Sequence, residues 1–443
     1  MMRPSESWLS LATRRRLFAH LLGESGRYRE LEAAREWTRW SRARVEAAQL
    51  DRLHQLLIHA SAHVPYWRDL FRERGLDPRT QDPVEVLRHL PLLTRETIRR
   101  EGRRMYDERL DFVKLVAQRT GGTTGEPLRF HRTREELEAQ MAISLRGFEL
   151  AGVPGAMPRA RVWAPRDERK WESRLVRFTG QLQLNAFDLS DAAMRRWVKL
   201  LARHRIGFLY GYVSAVDAFA SWCRDRNIRL PALRVIGTTA ERLHAEQKQR
   251  IEAAFSVRVA NFYGAREILR IASSCPHGGL HVAPDSVWID PPVAGVAETP
   301  LTSLISPTMP LFRYVLGDVV TPAPDCGCDL PFPCISIDVG KVHKLLTLAS
   351  GERVSTSRIY QPFCRLDAVA RFQLRLLSAT AIEVRYVPRS EAEAATQVAA
   401  TIAELSASLR EQLRFTPVRV DEIEPTRGGK RPVILDLRQT GSE

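Results

Sequence analysis

The run IGFLYGY at residues 206–212 is followed by LRVIGT at 233–238 and by VRVANFYG at 257–264. Each run is short, apolar and rich in β-branched or aromatic residues, which is typical of a buried strand. The helical period LHAEQKQRIEAAF lies at 243–255, between the last two runs, and MRRWVKLLARH at 194–204 precedes the first. Strands that alternate with helices predict a layered α/β domain whose ligands bind at the ends of its strands.

The rest of the chain has a different pattern on each side of this region. Residues 1–115 show long helical periods, and the segment FVKLVAQ at 112–118 suits a strand. ARVWAP at 160–165 is an earlier strand of the α/β region. After about residue 340, short strands surround one long helical period at 392–413, which is typical of a compact α+β module.

The net charge of +15 is spread along the chain. Of the 67 basic residues, 60 are arginine and seven are lysine, and most lie near Glu or Asp instead of forming one stripe. We therefore expect no nucleic-acid partner. A lysine that remains in so arginine-rich a chain is of interest, because arginine cannot replace its compact ammonium.

Composition also bears on the compartment. A hydrophobic fraction of 44% with 27% charged residues is that of a globular protein. No run approaches 20 consecutive apolar residues, so we expect no membrane insertion. The N-terminus has no apolar run that ends in a small-residue cleavage site, and six cysteines in so long a chain are not a disulfide scaffold. We expect a cytoplasmic protein.

A loop rich in glycine and threonine, RTGGTTGEPLRFHRT, lies at 119–133. Its backbone N–H groups and hydroxyls can surround a phosphate chain. It lacks the Gly-Lys-Ser/Thr ending of a P-loop. Taken alone, the run is also compatible with a plain turn between two strands.

Five further motifs follow this loop in order: VIGTTAERL (235–243), NFYGAREI (261–268), MPLFRYVLGD (309–318), VGKVHKLLTLASGERV (339–354) and PTRGGKRPVILDL (425–437). With the loop, this succession resembles the adenylate-forming superfamily, and most closely its phenylacetate–CoA ligase branch. The runs HQLLIHASAHVPYWRDLF (54–71), LPLLTRETIRR (90–100) and LYGYVSAVDAFASWC (209–223) also resemble that branch. YGARE is most similar to its capsule-biosynthesis-associated members. The resemblance covers residues 50 to 437.

The resemblance implies a large layered α/β N-terminal domain at 1–339, which includes the helical extension at 1–115. A hinge at 340–344 joins it to a small, mobile α+β domain at 345–443. The implied activity is ATP-dependent activation of a small carboxylic acid as acyl-AMP, followed by transfer to coenzyme A. Alternative acceptors are a carrier-protein thiol, an amine or a sugar in capsule or secondary-metabolite assembly. A non-catalytic scaffold relative is a further alternative.

The nucleotide site that the resemblance implies is spread over these motifs. Tyr263 would stack on the adenine, and Asp318 would accept hydrogen bonds from both ribose hydroxyls. Glu267 would ligate Mg²⁺, a hard cation that prefers carboxylate oxygen. Lys430, the second catalytic residue beside Glu267, would reach the α-phosphate and the acyl oxygens. The implied nucleotide-binding set is Thr120, Gly121, Gly122, Thr123, Thr124, Gly125, Thr239, Ala240, Glu241, Tyr263, Gly264, Asp318 and Lys341.

The sequence departs from the pattern of the family at three positions. Glu126 stands where relatives often carry a lysine, so the positive charge of that lysine must come from another residue. In the hinge GKVHK, Lys341 replaces an arginine and Lys344 replaces an aspartate. The residue that contacts the phosphate at 341 is therefore open, while rotation about Lys344 remains the implied gate between the two half-reactions.

The acid pocket should be lined by Phe208, Tyr210, Tyr212 and Gly237. The aromatic residues suit an aryl or arylacetic acid, although an aromatic stripe at this spacing is equally typical of a plain core. The helical N-terminus is a candidate surface for pairing two copies of the chain.

A zinc site is the last prediction. Cys275 and His281 are followed by Cys326 and Cys328, and three thiolates with one imidazole are typical of closed, tetrahedral structural zinc. Relatives in the phenylacetate–CoA ligase branch carry a matching set. His277 is an alternative to His281, Cys334 is a spare thiol, and buried cysteines without metal are the alternative reading.

Overall fold

The structure is a computed structural model of the chain. It describes residues 27–120, 128–155, 157–163, 181–186, 188–291, 298–339, 346–347, 353–354, 359–360, 362–363, 366–409, 412–424 and 433–438.

The N-terminal part is helical, as predicted. Its α-helices are α1 (Arg27–Glu36), α2 (Arg42–His63), α3 (Pro65–Glu73), α4 (Pro83–His89) and α5 (Arg95–Glu101), with 3-10 turns at Trp37–Arg39 and Gly102–Met105. The side chains of Ser41, Asp82 and Thr94 accept hydrogen bonds from the first N–H groups of α2, α4 and α5. Such caps satisfy backbone donors that have no partner within the helix.

The segment 112–118 is a strand only in its second half. Phe112–Lys114 form a 3-10 turn, because the Asp111 side chain accepts a hydrogen bond of 3.1 Å from the Val113 N–H. Strand β1 (Val116–Arg119) then pairs antiparallel with β2 (Arg129–Arg132), with Arg119 opposite Arg129. The two strands are therefore the stems of the Thr/Gly loop, and helix α6 (Arg134–Leu150) follows them.

A mixed seven-stranded sheet forms the centre of the large domain, in the order β4-β3-β5-β6-β7-β8-β9. Strands β3 to β7 are parallel to their neighbours, and β8 and β9 extend the sheet antiparallel. The strands are β3 (Arg159–Trp163), β4 (Gln181–Asn185), β5 (Phe208–Tyr212), β6 (Val235–Thr239), β7 (Arg258–Tyr263), β8 (Ala272–Ser274) and β9 (Leu280–Val282). The helices between them are α7 (Asp191–Arg203), α8 (Val213–Arg224) and α9 (Ala245–Phe255).

Both faces of this sheet are covered. On one face, Leu209 and Ile236 share a core with Trp197 of α7, Phe219 of α8 and Ile251 of α9. On the other, a smaller core contains Phe208, Val235, Ala260 and Phe262, with Phe148 of α6 packed against it. The predicted α/β layering is confirmed, and the strands and helices predicted for this central region form within three residues of their predicted bounds.

The N-terminal helices are part of the large domain's core. They pack on the antiparallel sheet of β10 (Val287–Ile289), β11 (Pro300–Ser303) and β12 (Tyr314–Val315), which β13 (Val319–Pro322) and β14 (Ile335–Val339) follow. The Leu93 N–H donates to the Arg313 oxygen at 3.0 Å, and the Val315 N–H donates to the Leu93 oxygen at 3.0 Å. These bonds hold the start of α5 beside β12.

The C-terminal part is an α+β unit with its own core. Strands β15 (Leu346–Thr347) and β16 (Arg353–Val354) precede β17 (Val369–Leu376) and β18 (Ala381–Pro388), and helix α10 (Glu391–Ser408), β19 (Arg414–Arg419) and β20 (Ile434–Asp436) follow. The four-stranded sheet has the order β19-β18-β17-β20. Leu374, Val384 and Val398 lie in its core. The small α+β domain is therefore confirmed, while the hinge at 340–344 lies outside the described residues. Among the described helices, none has the length and apolarity that crossing a membrane requires.

Candidate functional site

Residues of three predicted motifs meet where parallel strands of the central sheet end. Tyr212 ends β5, Thr239 ends β6 and Tyr263 ends β7. In an open parallel sheet, ligands bind in the crevice beyond the carboxyl ends of the strands. The candidate site is built from the turns that follow these ends.

Tyr263 and Asp318 are in contact, although 55 residues separate them. The Tyr263 hydroxyl donates a hydrogen bond of 2.9 Å to Oδ2 of Asp318. Burial and the neighbouring Asp318 carboxylate raise the pKa of Tyr263 well above its ordinary value, so the phenol is protonated and acts as the donor. Burial and Asp318 also raise the pKa of Glu298, which places a second carboxyl group nearby.

The turn between β7 and β8, residues 264–271, is tight because of Gly264. A Cβ atom at this position would lie 2.2 Å from the Leu269 oxygen, so only glycine allows the two arms to approach. The turn carries Glu267, whose carboxylate is 1% exposed. Gly264 thus has a structural requirement whether or not it contacts a nucleotide.

Glu267 is held by two side chains from distant parts of the chain. Its Oε1 lies 3.0 Å from Nη2 of Arg95 and accepts a 2.8 Å hydrogen bond from the Tyr314 hydroxyl. Arg95 Nε also donates to the Tyr314 hydroxyl oxygen at 3.2 Å. The predicted Mg²⁺ ligand is therefore in an ion pair here, and Mg²⁺ binding by Glu267 stays a prediction.

The stems of the Thr/Gly loop reach the same turn. The guanidinium of Arg132, in β2, donates to the backbone oxygen of Glu267. At the other stem, the buried Thr120 accepts a 2.9 Å hydrogen bond from the Leu128 N–H at its Oγ1. Strand β2, one stem of the loop, therefore contacts the turn that carries Glu267 through Arg132.

The residues after β6 are in an unusual conformation. Ala240 has a φ of 67°, in the left-handed region that costs a non-glycine residue about 1–3 kcal/mol. Glu241 then accepts hydrogen bonds from the Ser214 N–H at 2.6 Å and from the Ser214 hydroxyl at 3.1 Å. Thr239 Oγ1 donates to the Phe262 oxygen at 2.6 Å. Strained backbone of this kind is common at binding sites, and here it also directs Glu241 to the N-terminus of α8.

The four predicted pocket residues differ in their surroundings. Phe208 is fully buried among Phe148 and Phe262, which is the environment of a core residue. Tyr210 remains partly exposed, and its ring lies 6.0 Å from that of Trp163. A Cβ at Gly237 would lie 2.8 Å from both the Phe208 and Tyr210 rings, so glycine makes room for them.

Tyr212 is buried at the end of β5, with its ring 4.4 Å from that of Trp163. Tyr210 and Tyr212 therefore remain the pocket candidates, and Phe208 has the surroundings of a core residue.

The predicted metal ligands form a cluster away from these turns. The donor atoms of Cys275, His281, Cys326 and Cys328 all lie within 4.8 Å of one another. His281 Nε2 is 3.3 Å from the sulfurs of both Cys326 and Cys328, and the Cys275 and Cys326 sulfurs are 3.5 Å apart. Such spacing fits four donors around one ion.

The imidazole of this cluster is oriented by the backbone. His281 Nδ1 lies 2.8 Å from the Phe332 oxygen, which leaves Nε2 toward the two cysteines. Hydrogen bonds from its cluster neighbours outweigh burial and lower the pKa of the Cys326 thiol to about 6. Cys334 is also close, with its sulfur 3.7 Å from Nε2 of His281. His281, and not His277, belongs to the metal cluster found among the described residues.

Comparisons with known proteins agree with the fold and the motifs. No protein-family model matches the chain. The chain is similar to Protein CapK of Staphylococcus aureus, with 23% identity over 280 residues that cover 61% of this chain and 62% of the relative. It is also similar to the phenylacetate-coenzyme A ligase of Thermus thermophilus, with 23% identity over 312 residues that cover 63% of this chain and 66% of the relative. Each match thus spans less than two thirds of the relative's length.

A solved structure matches over more of the chain. The crystal structure of 2-hydroxyisobutyryl-CoA ligase in its postadenylation state has a TM-score of 0.69 at 18% identity and covers 89% of this chain and 90% of the ligase chain. The chain therefore has the fold of this acid–CoA ligase, and its sequence is similar to those of a phenylacetate–CoA ligase and CapK.

Several residues that the resemblance assigns to the site lie outside the described part. These are Gly121, Gly122, Thr123, Thr124, Gly125, Glu126, Lys341, Lys344 and Lys430. Their roles remain predictions from the resemblance.

Three residues at the site were missed from the sequence. Arg95 and Tyr314, which hold Glu267, lie within the quoted runs LPLLTRETIRR and MPLFRYVLGD. Glu298 lies just before β11, near Asp318. Arg95 and Tyr314 lie in runs that carry the resemblance, so the sequence marked both runs as part of the site. Nothing in those runs indicates that the two side chains contact Glu267.

Proposed function

We propose that the chain activates a carboxylic acid with ATP. The acid's carboxylate attacks the α-phosphate of ATP, which gives acyl-AMP and releases pyrophosphate. The thiol of coenzyme A then attacks the acyl carbon, which gives the thioester and releases AMP. Both substrates of the first step are anions, so the site must neutralise charge and hold the two groups in line.

The observation that carries this proposal is the arrangement of Tyr263, Asp318 and Glu267 at one edge of the sheet. The Tyr263–Asp318 hydrogen bond places a carboxylate beside an aromatic ring, which suits a ribose next to an adenine. Glu267, four residues after Tyr263, supplies a buried carboxylate on the adjoining turn. Convergence of three such groups from two distant motifs is not expected in a scaffold that only binds a ligand.

Each catalytic role in this proposal belongs to a residue of the chain. Asp318 accepts the ribose hydroxyls, and the Thr/Gly loop donates N–H groups and hydroxyls to the β- and γ-phosphates. Lys430 donates to the charge that develops on the α-phosphate and the acyl oxygen. Glu267 would hold Mg²⁺, whose positive charge lowers the repulsion between the phosphates and the acid.

Coenzyme A is the proposed acceptor because two of the similar proteins, a phenylacetate-coenzyme A ligase and 2-hydroxyisobutyryl-CoA ligase, are acid–CoA ligases. The structure of 2-hydroxyisobutyryl-CoA ligase in its thioesterification state is described as a complex with an acyl-AMP and CoA, and it covers 92% of this chain with a TM-score of 0.58. A carrier-protein thiol, an amine and a sugar are the acceptors to be compared with it.

A structural zinc ion is part of the proposal. Cys275, His281, Cys326 and Cys328 would hold it, and metal binding there would stabilise the fold without taking part in the reaction. The cluster ties the β8–β9 region to the segment before β14, since the Cys275 N–H bonds the Gly279 oxygen and the Val282 N–H bonds the Pro333 oxygen, each at 2.9 Å.

Pyrophosphate release tests the proposal directly. The protein is incubated with ATP, Mg²⁺ and a panel of aliphatic, aryl and dicarboxylic acids, with and without coenzyme A. Acid-dependent release of pyrophosphate is expected, together with AMP and a thioester when coenzyme A is present. If acyl-AMP forms and added coenzyme A has no effect, another acceptor is indicated. If no acid causes pyrophosphate release, the proposal is contradicted.

A further inference from the structure

Arg270 is a buried arginine in the turn that also carries Glu267, and its side chain faces a different part of the domain. It is 3% exposed, and its guanidinium lies over the rings of Phe148 and Phe262, at 5.0 Å and 4.7 Å from their centroids. Its Nη2 donates a 2.9 Å hydrogen bond to the Ser144 hydroxyl, and Tyr210 is a second hydrogen-bond partner. Cation–π contacts and hydroxyl oxygens thus hold the charge in place.

The described surroundings of Arg270 contain no carboxylate partner. The groups that act electrostatically on its pKa are Tyr210 and Arg146, and neither is a carboxylate. Burial is the largest effect and lowers the pKa of the guanidinium. Its Nε is buried and has no hydrogen-bond partner among the described residues.

This arrangement distinguishes Arg270 from the other buried arginines of the described chain. Each of the others has a carboxylate close by: Arg132 has Glu136, Arg146 has Asp285, Arg159 has Glu149 and Arg313 has Asp290. A buried charge without a counter-charge is costly, since its lost hydration is not replaced. A fold that gives its other buried arginines a carboxylate and gives this one none among the described residues has a place here for a bound anion.

The position of Tyr210 shows from which side that anion would arrive. Tyr210 is partly exposed, whereas Leu209 and Gly211 on either side of it in β5 are buried. The partner of Arg270 therefore has open surface, two residues before the carboxyl end of β5. A molecule bound at the strand ends, between Tyr212 and Thr239, would reach Tyr210 first and then Arg270, the partner of Tyr210.

We propose that Arg270 binds a second anionic group of the acid substrate, so that the chain activates dicarboxylates in preference to monocarboxylates. The inference rests on the proposed function and deepens it, because it names the substrate class. One carboxylate would react at the nucleotide, and the other, at the distal end, would pair with the guanidinium. Tyr210 and Ser144 would keep the guanidinium oriented between turnovers.

The test compares acids of equal chain length that differ only in the distal group. Succinate, glutarate and adipate are measured against butanoate, pentanoate and hexanoate, and terephthalate against 4-methylbenzoate, by pyrophosphate release with the wild-type chain. For the best-fitting length, kcat/KM for the dicarboxylate is expected to exceed that for the monocarboxylate about 10- to 100-fold, the value of one charge-assisted contact. In Arg270→Met this ratio is expected to fall to near one, and Arg270→Lys should keep part of it.

Ser144→Ala is the matched control. It removes one hydroxyl partner of Arg270 without removing the charge, so the ratio should fall far less than in Arg270→Met. Melting temperatures of all variants separate a change of preference from a loss of folding. If Arg270→Met does not fold, the test rests on the kcat/KM ratios of the wild type. A wild type that prefers the monocarboxylate at every chain length overturns the inference. An unchanged ratio in a folded Arg270→Met also overturns it and leaves Arg270 a structural cation.

Binding without ATP separates this inference from the proposed function. Calorimetric titration of the dicarboxylates into the wild type and Arg270→Met needs no chemistry. Arg270-dependent binding without pyrophosphate release supports the inference and overturns the proposed function. Pyrophosphate release with monocarboxylates, and no Arg270-dependent binding, supports the proposed function and overturns the inference.

Discussion

Nη2 of Arg95 lies 3.0 Å from Oε1 of Glu267, although 172 residues separate the two in sequence. Arg95 begins helix α5 in the N-terminal helical region, and Glu267 lies on the turn after β7. The Tyr314 hydroxyl contacts both of them. The carboxylate expected to bind Mg²⁺ is thus positioned by the N-terminal helices, which makes those helices part of the site.

Glu267→Gln should raise the Mg²⁺ concentration needed for half-maximal adenylation and lower its maximal rate. The amide keeps the shape of the side chain but loses the charge that attracts the cation. The measurement is initial pyrophosphate release over a Mg²⁺ titration at fixed ATP.

Arg95→Gln is the matched control for this prediction. It breaks the same ion pair and leaves the Glu267 carboxylate charged, so it should lower the melting temperature and raise the Mg²⁺ requirement less than Glu267→Gln does. Equal Mg²⁺ requirements in the wild type and Glu267→Gln would show that Glu267 serves only to bind Arg95 and Tyr314.

Asp318→Ala should weaken ATP binding at least tenfold. Two charge-assisted hydrogen bonds to the ribose hydroxyls are worth roughly 1.5–3 kcal/mol each, and a variant that lacks both has no substitute for them. Equilibrium binding of ATP, measured by calorimetry, tests this. Tyr263→Phe keeps the ring and removes only the hydroxyl that donates to Asp318, so it should lose less affinity. An unchanged dissociation constant in Asp318→Ala would contradict the ribose assignment.

The central sheet could be predicted from the sequence because its signals are local. The runs that became β5, β6 and β7 are apolar and bounded by helical periods, and a parallel sheet buried on both faces requires such runs. The cluster of Cys275, His281, Cys326 and Cys328 was also predictable, since few residue types bind zinc and all four side chains are of those types.

Other features depend on tertiary packing that no local pattern encodes. Phe208 and Tyr210 lie on the same face of β5 and both contact Phe148 and Phe262, yet only Phe208 is fully buried. The 3-10 turn at Phe112–Lys114 arises from one side-chain bond of Asp111 in a run with strand-like composition. The partners of Glu267, Arg95 and Tyr314, lie in motifs that are far from Glu267 in the sequence.

Purified protein should contain about one zinc per chain, and Cys328→Ser should remove it and lower the melting temperature. Metal-binding energy at a structural site is also folding energy, so the two losses should occur together. Elemental analysis and thermal unfolding provide the measurements.

Cys334→Ser and Cys223→Ser are the controls for the zinc site. The Cys334 sulfur lies 3.7 Å from His281 but is outside the four-donor set, and Cys223 is buried in α8, so both variants should retain zinc. If the purified wild type contains no zinc, and a chelator leaves its melting temperature unchanged, the zinc site is ruled out. Loss of zinc in Cys334→Ser alone would make Cys334 the third thiolate instead of Cys328.

Acid should destabilise the chain through His244. This residue precedes α9, and its ring lies 5.3 Å from that of Tyr360 in the C-terminal part. Burial, followed by the charge of Arg242, lowers the pKa of His244 from 6.5 to about 4, with Glu246 opposing and Arg250 adding to the effect. The unfolded chain therefore binds a proton near pH 6.5, while the folded chain resists it until about pH 4.

The stabilising contribution of neutral His244 is complete above pH 6.5 and is lost as pH falls from 6.5 toward 4. Between pH 7 and pH 5 the wild type should lose on the order of 1–2 kcal/mol more stability than His244→Gln, which has no titrating ring. Denaturant unfolding of both proteins at the two pH values measures the difference. Parallel losses in the two proteins would mean that His244 titrates normally.

The last prediction separates the two half-reactions by means of Lys430 and the hinge. If Lys430 reaches the α-phosphate only when the small domain is docked for adenylation, its role belongs to the first step. Removing one preorganised donor from a developing charge costs about 10²- to 10³-fold in rate, so Lys430→Ala should nearly abolish acyl-AMP formation. Thioester formation from supplied acyl-AMP should be much less affected.

Lys344→Pro should give the opposite result. Proline fixes φ near −65° and limits the rotation of the small domain that the second step requires, while leaving the adenylation arrangement accessible. Each variant is assayed in both half-reactions with the synthetic acyl adenylate of whichever acid proves active. Equal losses in both steps for Lys430→Ala would indicate a general defect, since a donor used in one step cannot slow the other. Full adenylation by that variant would exclude Lys430 from catalysis, and the charge on the α-phosphate would then need another donor, for which Lys341 is the nearest candidate in the resemblance.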